Sequence, residues 1–185
     1  AGSRAGGFGA AMTAFSQRDP RTARSRFVAA LSATPNAPAE EVAVARVLSA
    51  IAAARSGESA LAAADLGALA AAPPAPLDPI GGYLHLFAAR AALAAGDFAL
   101  ARSEAHAVAT GVPPSVSREA RRIEAQALER LGRGAEAEAI LRSLVAEGEF
   151  FEDVARLAGR LVAEPPSPSR TIEAARLFRR VRILA

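Results

Sequence analysis

One pattern recurs five times along this chain and limits what it can fold into. A small residue is followed by an apolar residue four positions later and another three beyond that: Ala23-Phe27-Ala30, Ala62-Leu66-Leu69, Ala101-Ala105-Val108, Ala137-Leu141-Leu144 and Ala174-Phe178-Val181. The first three sets end in proline five residues further on, at Pro35, Pro74 and Pro113. The pattern returns after 39, 39, 36 and 37 residues. Steps of four and three place side chains on one face of an α-helix. A period between about 20 and 50 residues signals a repeat array, in which no unit can bury its apolar stripe alone and neighbours must cover it. Such an array displays a surface rather than enclosing a reaction chamber.

Composition agrees with a helical array. Of 185 residues, 50 are alanine and aromatics make up only 5%. Alanine has the best intrinsic helix propensity, and strand formers are sparse. All 22 basic residues are arginine, against 19 acids, which gives a net charge of +3. We read the arginine and alanine excess as codon bias of a GC-rich genome. The sequence pI of about 10.7 therefore does not mark a nucleic-acid binder, which would need a clustered basic face. Cysteine is absent, which excludes disulfides, thiolate nucleophiles and cysteine metal sites. No apolar run reaches the length of a membrane span. The ending Leu177-Phe-Arg-Arg-Val-Arg-Ile-Leu-Ala185 stops inside a helical pattern, and we expect a piece of a longer protein.

Periodicity and breakers predict helices over 8–17, 20–34, 39–56, 58–71, 79–95, 97–110, 116–131, 133–147, 150–163 and 170–184, with 1–7 a disordered start. Asp19-Pro20 opens the second helix with a side-chain acceptor and a proline at the first helical position. Gly57, Gly96 and Gly132 mark tight turns, because glycine takes up the left-handed conformation that closes a helix. Prolines at 35–38, 73–76, 113–114 and 165–168 mark the longer breaks, since proline cannot continue a helix interior. Short and long turns alternate. The expected architecture is a single all-α domain, a right-handed α-solenoid of about five antiparallel helical hairpins covering 8–36, 38–76, 78–114, 116–148 and 150–185.

The second helix of each hairpin resembles that of the tetratricopeptide family, which carries Ala-x3-aromatic-x2-Ala followed by proline. Ala23, Phe27, Ala30 and Pro35 match in full, and Gly96-Asp97-Phe98-x-x-Ala101 resembles that family's turn. The first-helix signature of Trp, Leu-Gly and Tyr is missing, its slots in the third repeat holding His85, Ala88, Ala89 and Ala92. The repeats are also longer than the family's usual length of about 34, and Glu149 stands where the fourth proline would be. A narrower resemblance links Gly82-Tyr-Leu-His-Leu-Phe-Ala-Ala-Arg90, Leu93-Ala-Ala-Gly-Asp-Phe98 and Ala174-Ala-Arg-Leu-Phe-Arg-Arg180 to the superhelix that precedes the catalytic domain in bacterial soluble lytic transglycosylases. The cutting domain of that family needs a Glu-Ser near Gly-Leu-Met-Gln. Here the one Glu-Ser, Glu58-Ser59, opens a helix, and the one methionine is Met12.

Candidate chemistry is thin, and we expect no enzyme, no cofactor and no metal. His85 and His106 lie in different helices of one hairpin without a second histidine at metal spacing; both are expected at helix–helix contacts. Glu149, Glu152 and Asp153 sit in a helix's first turn, where acids meet the positive end of the dipole, with Phe150-Phe151 as an anchor between hairpins four and five. Arg118, Arg121, Arg122, Arg130 and Arg133 interleave with Glu119, Glu124 and Glu129, which predicts a solvated face with pairs such as Glu119–Arg122 and Glu129–Arg133. Arg176, Arg179 and Arg180 form a sharper patch on the last helix. No lysine exists for a phosphate loop of the Gly-x4-Gly-Lys type. Gly6-Gly7-Phe8-Gly9 follows no strand, and no elbow supports a catalytic serine.

The tetratricopeptide resemblance implies a concave groove lined by the first helix of each hairpin. Its positions are Val44, Val47 and Ile51, then Tyr83, Leu86, Arg90 and Leu93, then Glu119, Arg122, Gln126, Glu129 and Arg130. Of these, Tyr83, Leu86, Arg90, Glu119, Arg122, Gln126 and Arg130 are the candidate binding residues, with the arginines suited to forking onto a carboxylate. The expected function is a non-enzymatic scaffold that holds a peptide or protein segment, without nucleic acid. The alternative is the accessory superhelix of a periplasmic peptidoglycan lytic transglycosylase. That resemblance implies a peptidoglycan-associated complex and a periplasmic or cell-envelope setting, with the cytoplasm as the other choice.

Overall fold

A computed structural model describes residues 4–108, 112–148, 150–163 and 167–184. Among them are ten α-helices and no strand: α1 (Arg4–Ser16), α2 (Pro20–Ala33), α3 (Ala39–Arg55), α4 (Ser59–Ala71), α5 (Gly81–Ala95), α6 (Phe98–His106), α7 (Pro114–Arg130), α8 (Gly134–Glu147), α9 (Phe151–Ala163) and α10 (Pro168–Leu184). A 3-10 segment, Ala75–Ile80, leads into α5. The principal packings join helices adjacent in sequence, with α5 against α7 in addition. The fold is thus an all-α solenoid of five hairpins, each resting on the next.

Helix boundaries follow local chemistry. The Asp19 carboxylate accepts the Thr22 amide at 3.1 Å, and that of Asp97 accepts the Leu100 amide at 3.0 Å, satisfying donors that a helix start leaves open. Four of the tight turns share one closure. Amide-to-carbonyl bonds run from Asp19 to Ala14, Glu58 to Ala53, Asp97 to Ala92 and Arg133 to Leu128, at 2.9–3.1 Å. Each bond spans five residues and needs a left-handed residue just before its donor. Gly57, Gly96 and Gly132 supply it, with φ of 91°, 81° and 74°. In the first hairpin Arg18 takes that place with φ 59°, a departure that no glycine marks in the sequence.

The repeating positions form the core. Ala23, Ala62, Ala101 and Ala137 are completely buried, and Phe27, Leu66, Ala105 and Leu141 beside them are nearly so. Alanine here lets backbones approach where a larger side chain would hold them apart.

Several expectations are corrected. Helix α1 begins at Arg4, inside the segment 1–7 expected to be disordered. Phe150 and Phe151 are 50% and 44% exposed, so neither is a buried anchor between hairpins four and five, although the Phe150 ring meets Arg118 of α7. In the fifth repeat Ala174 is buried but Phe178 is 47% exposed: among the described residues no helix packs over that side of α10. Glu149, Pro165 and Pro166 lie outside the described residues. Arg118, Arg121 and Arg122 do not form a merely solvated face: all three reach across to other helices, and Glu119 pairs with Arg90 rather than Arg122. Arg133 pairs with Glu136, not Glu129.

Candidate functional site

The first helices α1, α3, α5, α7 and α9 build the face expected to bind. It has two distinct ends. Between α1 and α3 lies a groove of about 350 Å³ lined by Phe8, Met12, Phe27, Val44, Ala45 and Leu48, with Glu40 and Glu41 beside it. Met12 and Val44, both on its lining, are 47% and 48% exposed. Glu40 and Glu41 occupy the first turn of α3, where the helix dipole favours carboxylates. Both are exposed, and they make no ion pair among the described residues.

Between α7 and α9 lies a wider cleft of about 690 Å³, whose lining includes Arg118, Glu119, Arg122, Gln126, Phe150 and Glu152. Its floor is a charge knot. Asp153 is 1% exposed and accepts three hydrogen bonds, from Arg118 Nη1 at 2.9 Å and from Arg122 Nε and Nη2 at 2.6 and 3.0 Å. Arg122 Nη1 also reaches Glu152 Oε2 at 2.7 Å, and Arg118 donates to the Leu144 carbonyl at 3.1 Å. The Arg118 guanidinium lies 4.1 Å from the centre of the Phe150 ring, a cation–π distance. Its bonds to Asp153 push the Arg122 guanidinium above its ordinary value. The Glu147 carboxyl is held below the usual range because Arg121 donates to it at 2.5 Å.

The candidate residues divide accordingly. Glu119, Arg122 and Gln126 come together in the α7–α9 cleft. Arg90 of α5 joins them by donating from Nε to Glu119 Oε1 at 2.7 Å. Tyr83 is half-buried near the start of α5. Arg130 is exposed and lies over Phe98 at 5.6 Å, toward the turns. Leu86 is corrected: at 3% exposure it packs in the core with Ala89 and Ala92. Val47 is likewise buried. Two of the three arginines expected to fork onto a ligand carboxylate are already engaged: Arg90 holds Glu119, and Arg122 holds Glu152 and Asp153.

His85 Nδ1 lies 2.8 Å from Glu104 and His106 Nδ1 lies 3.0 Å from Glu124, each a contact between helices. Among the described residues no three His, Cys, Asp or Glu side chains gather as metal ligands, and no helix is long and apolar enough to cross a membrane. Phe8 and Met12 escaped sequence reasoning because α1 carries no repeat signature. The Asp153 knot escaped it because its partners stand 31 and 35 residues away with no local motif between them.

No family model and no curated protein matches the chain. Two solved structures match it over 97% of its length. One is a Podosopora anserina chain of nearly identical TPR-like repeats that carries kinesin light chain in its name (TM-score 0.72, 18% identity, 93% of that chain covered). The other is its Q17M form (TM-score 0.73, 18% identity, 92% covered). At this identity the likeness is one of fold, and the fold is that of tetratricopeptide-like repeats.

Proposed function

We propose that this solenoid is a protein-interaction scaffold whose first-helix face holds a peptide segment rich in apolar and basic residues. The α1–α3 groove carries the reading: Met12 and Val44 stand half exposed around a 350 Å³ apolar recess. Contiguous exposed apolar surface rimmed by polar groups is the mark of an interaction site, and methionine adapts its shape to what it meets. Glu40 and Glu41 at the rim favour a cationic residue beside the apolar anchor. Tyr83, Arg90, Glu119, Arg122, Gln126 and Arg130 would line or border the path of the same segment toward α9. There Arg90 and Arg122 hold Glu119 and Glu152 in place, and those carboxylates would face a basic partner.

Selection of peptides from a random displayed library on the purified chain tests this. The expected binders share a bulky apolar residue next to Arg or Lys and are lost on Met12→Glu. Binders of acidic composition, or binders indifferent to Met12→Glu, would refute it.

A further inference from the structure

In α4, α6 and α8 the position five residues past the buried alanine borders a charge pair. It is Gly67 after Ala62, His106 after Ala101 and Arg142 after Ala137. A Cβ at Gly67 would stand 3.4 Å from Glu104 Oε1, and Glu104 Oε2 lies 2.8 Å from His85 Nδ1. His106 Nδ1 lies 3.0 Å from Glu124 Oε1, and Arg142 donates to Glu173 at 2.8 Å. In α2 the same position is Val28, 48% exposed, and there the pattern breaks. Arg46 and Asp65 stand 39 residues before His85 and Glu104, so a cation on α3 and a carboxylate on α4 hold the places of the bonded pair on α5 and α6. Both are exposed, and neither makes a hydrogen bond or an ion pair among the described residues.

In place of the pair lies a recess of about 380 Å³, bordered by Val28 and Leu31 of α2, Arg46 and Ser49 of α3, and Asp65 and Leu69 of α4. It sits inside the array, between hairpins one and two, with helices on both sides of it. Arg46 and Ser49 are a turn apart on the side of α3 turned from Val44 and Leu48, so the recess is separate from the α1–α3 groove. Ser49 is 8% exposed, and its hydroxyl makes no hydrogen bond among the described residues. A serine within a helix commonly bonds the carbonyl one turn back, as Ser32 does to Val28 at 3.0 Å. Leaving a buried hydroxyl unpaired costs the full loss of its hydration. A cation, an anion and an unused hydroxyl therefore border one apolar wall.

We propose that this recess binds a small zwitterion of the α-amino acid type with an aliphatic side chain. Its carboxylate takes the fork of Arg46, a geometry that guanidinium suits, with the Ser49 hydroxyl donating beside it. Its ammonium meets Asp65, and its side chain lies on Val28, Leu31 and Leu69. Size favours this class. The corresponding His85 and Glu104 touch one another, so the gap between Arg46 and Asp65 is that of a short spacer, and a carboxylate and an ammonium on one carbon span it. The volume stands at the small end of ligand pockets, which run from about 300 to 1,000 Å³. An internal stretch of polypeptide, from this chain or another, lacks both free backbone charges.

Isothermal titration calorimetry of the full chain with L-leucine, N-acetyl-leucine, leucinamide and N-acetyl-leucinamide tests this. Leucine should bind. Each singly blocked form should bind about tenfold more weakly, the usual worth of a hydrogen bond to a charged group, and the doubly blocked form not measurably. Arg46→Gln and Asp65→Asn should each weaken leucine about tenfold. Both variants alter exposed side chains, and circular dichroism verifies that they fold. Met12→Glu, on the other side of α3, should leave leucine binding unchanged, so this site and the first-helix groove fail separately. No binding of leucine would overturn the proposal, as would binding that survives both Arg46→Gln and Asp65→Asn. Equal binding of leucine and N-acetyl-leucinamide would overturn it too, and would put a segment of polypeptide in the recess.

Discussion

Arg122 grips Asp153 across the α7–α9 seam through two parallel hydrogen bonds of 2.6 and 3.0 Å, while the aspartate is 1% exposed. A carboxylate removed from water needs its charge matched, and a forked guanidinium matches it with geometry as well as charge. This pair belongs to the interface between hairpins four and five, although the cleft above it belongs to the proposed binding face.

Arg122→Ala is therefore expected to destabilise the fold and not only to weaken binding. Breaking a buried ion pair by removing one partner costs about 3–5 kcal/mol. Arg118 still donates to Asp153 at 2.9 Å, so the lower end, about 3 kcal/mol, is expected. Urea denaturation measures it. The apolar double variant Arg122→Met, Asp153→Leu should recover most of the loss, since a hydrophobic replacement of a buried pair is often neutral or better. A single variant as stable as the parent would mean that the knot contributes nothing.

Ala101→Leu and Ala99→Leu separate the core register from mere helix propensity. Ala101 is completely buried, whereas Ala99, two residues away, is exposed. Overpacking costs about 1–3 kcal/mol, so the first change should lower the thermal midpoint and the second should leave it nearly unmoved. Equal shifts would contradict the register.

Arg18 and Gly96 make a matched pair of turn tests. Both take the left-handed conformation, at φ 59° and 81°, which costs a residue with a Cβ roughly 1–2 kcal/mol. Arg18→Gly should stabilise the chain by about 0.5–1 kcal/mol, after the greater freedom of glycine in the unfolded state is subtracted. Gly96→Ala should destabilise it by about 1 kcal/mol. A Cβ at Gly96 meets nothing within 4 Å, so that cost is conformational alone. Thermal denaturation of both variants is the measurement.

Glu147 gives a pH dependence of definite sign. In the folded state its carboxyl is held below the usual glutamate range, first by the hydrogen bond from Arg121. A depressed carboxyl contributes stability that is present above its unfolded value and lost as the pH falls through the folded one. Arg121→Ala should therefore lower stability slightly at neutral pH, where Glu147 is ionised, and leave it unchanged well below about pH 4, so that the acid limb of the stability–pH curve flattens; the neutral-pH loss is small because the pair is half exposed.

Much of the fold was legible because its rules are local. The four-and-three spacing named Ala23, Ala62, Ala101, Ala137 and their partners as core, and Gly57, Gly96 and Gly132 marked the left-handed tight turns inside the hairpins. Arg18 was illegible because an arginine in the left-handed region has no sequence signature. The binding face was less legible because it depends on pairs one repeat apart. Arg90 looked free in the sequence but is held by Glu119. Arg122 looked like a solvated partner of Glu119 and is instead locked to Asp153. Leu86 shared a helix with Tyr83 and Arg90, but its place on that helix turned it into the core.

The chain has a single methionine, and it lies in the α1–α3 groove. Carbon-13 labelling of its methyl group therefore yields one resonance that reports on the groove alone. A peptide selected on the chain, carrying an apolar anchor beside a basic residue, should shift or broaden that resonance as it binds, and Val44→Glu should abolish both the shift and the binding. A Met12 signal unchanged through saturation, by a peptide whose binding survives Val44→Glu, would contradict the first-helix face as the binding surface.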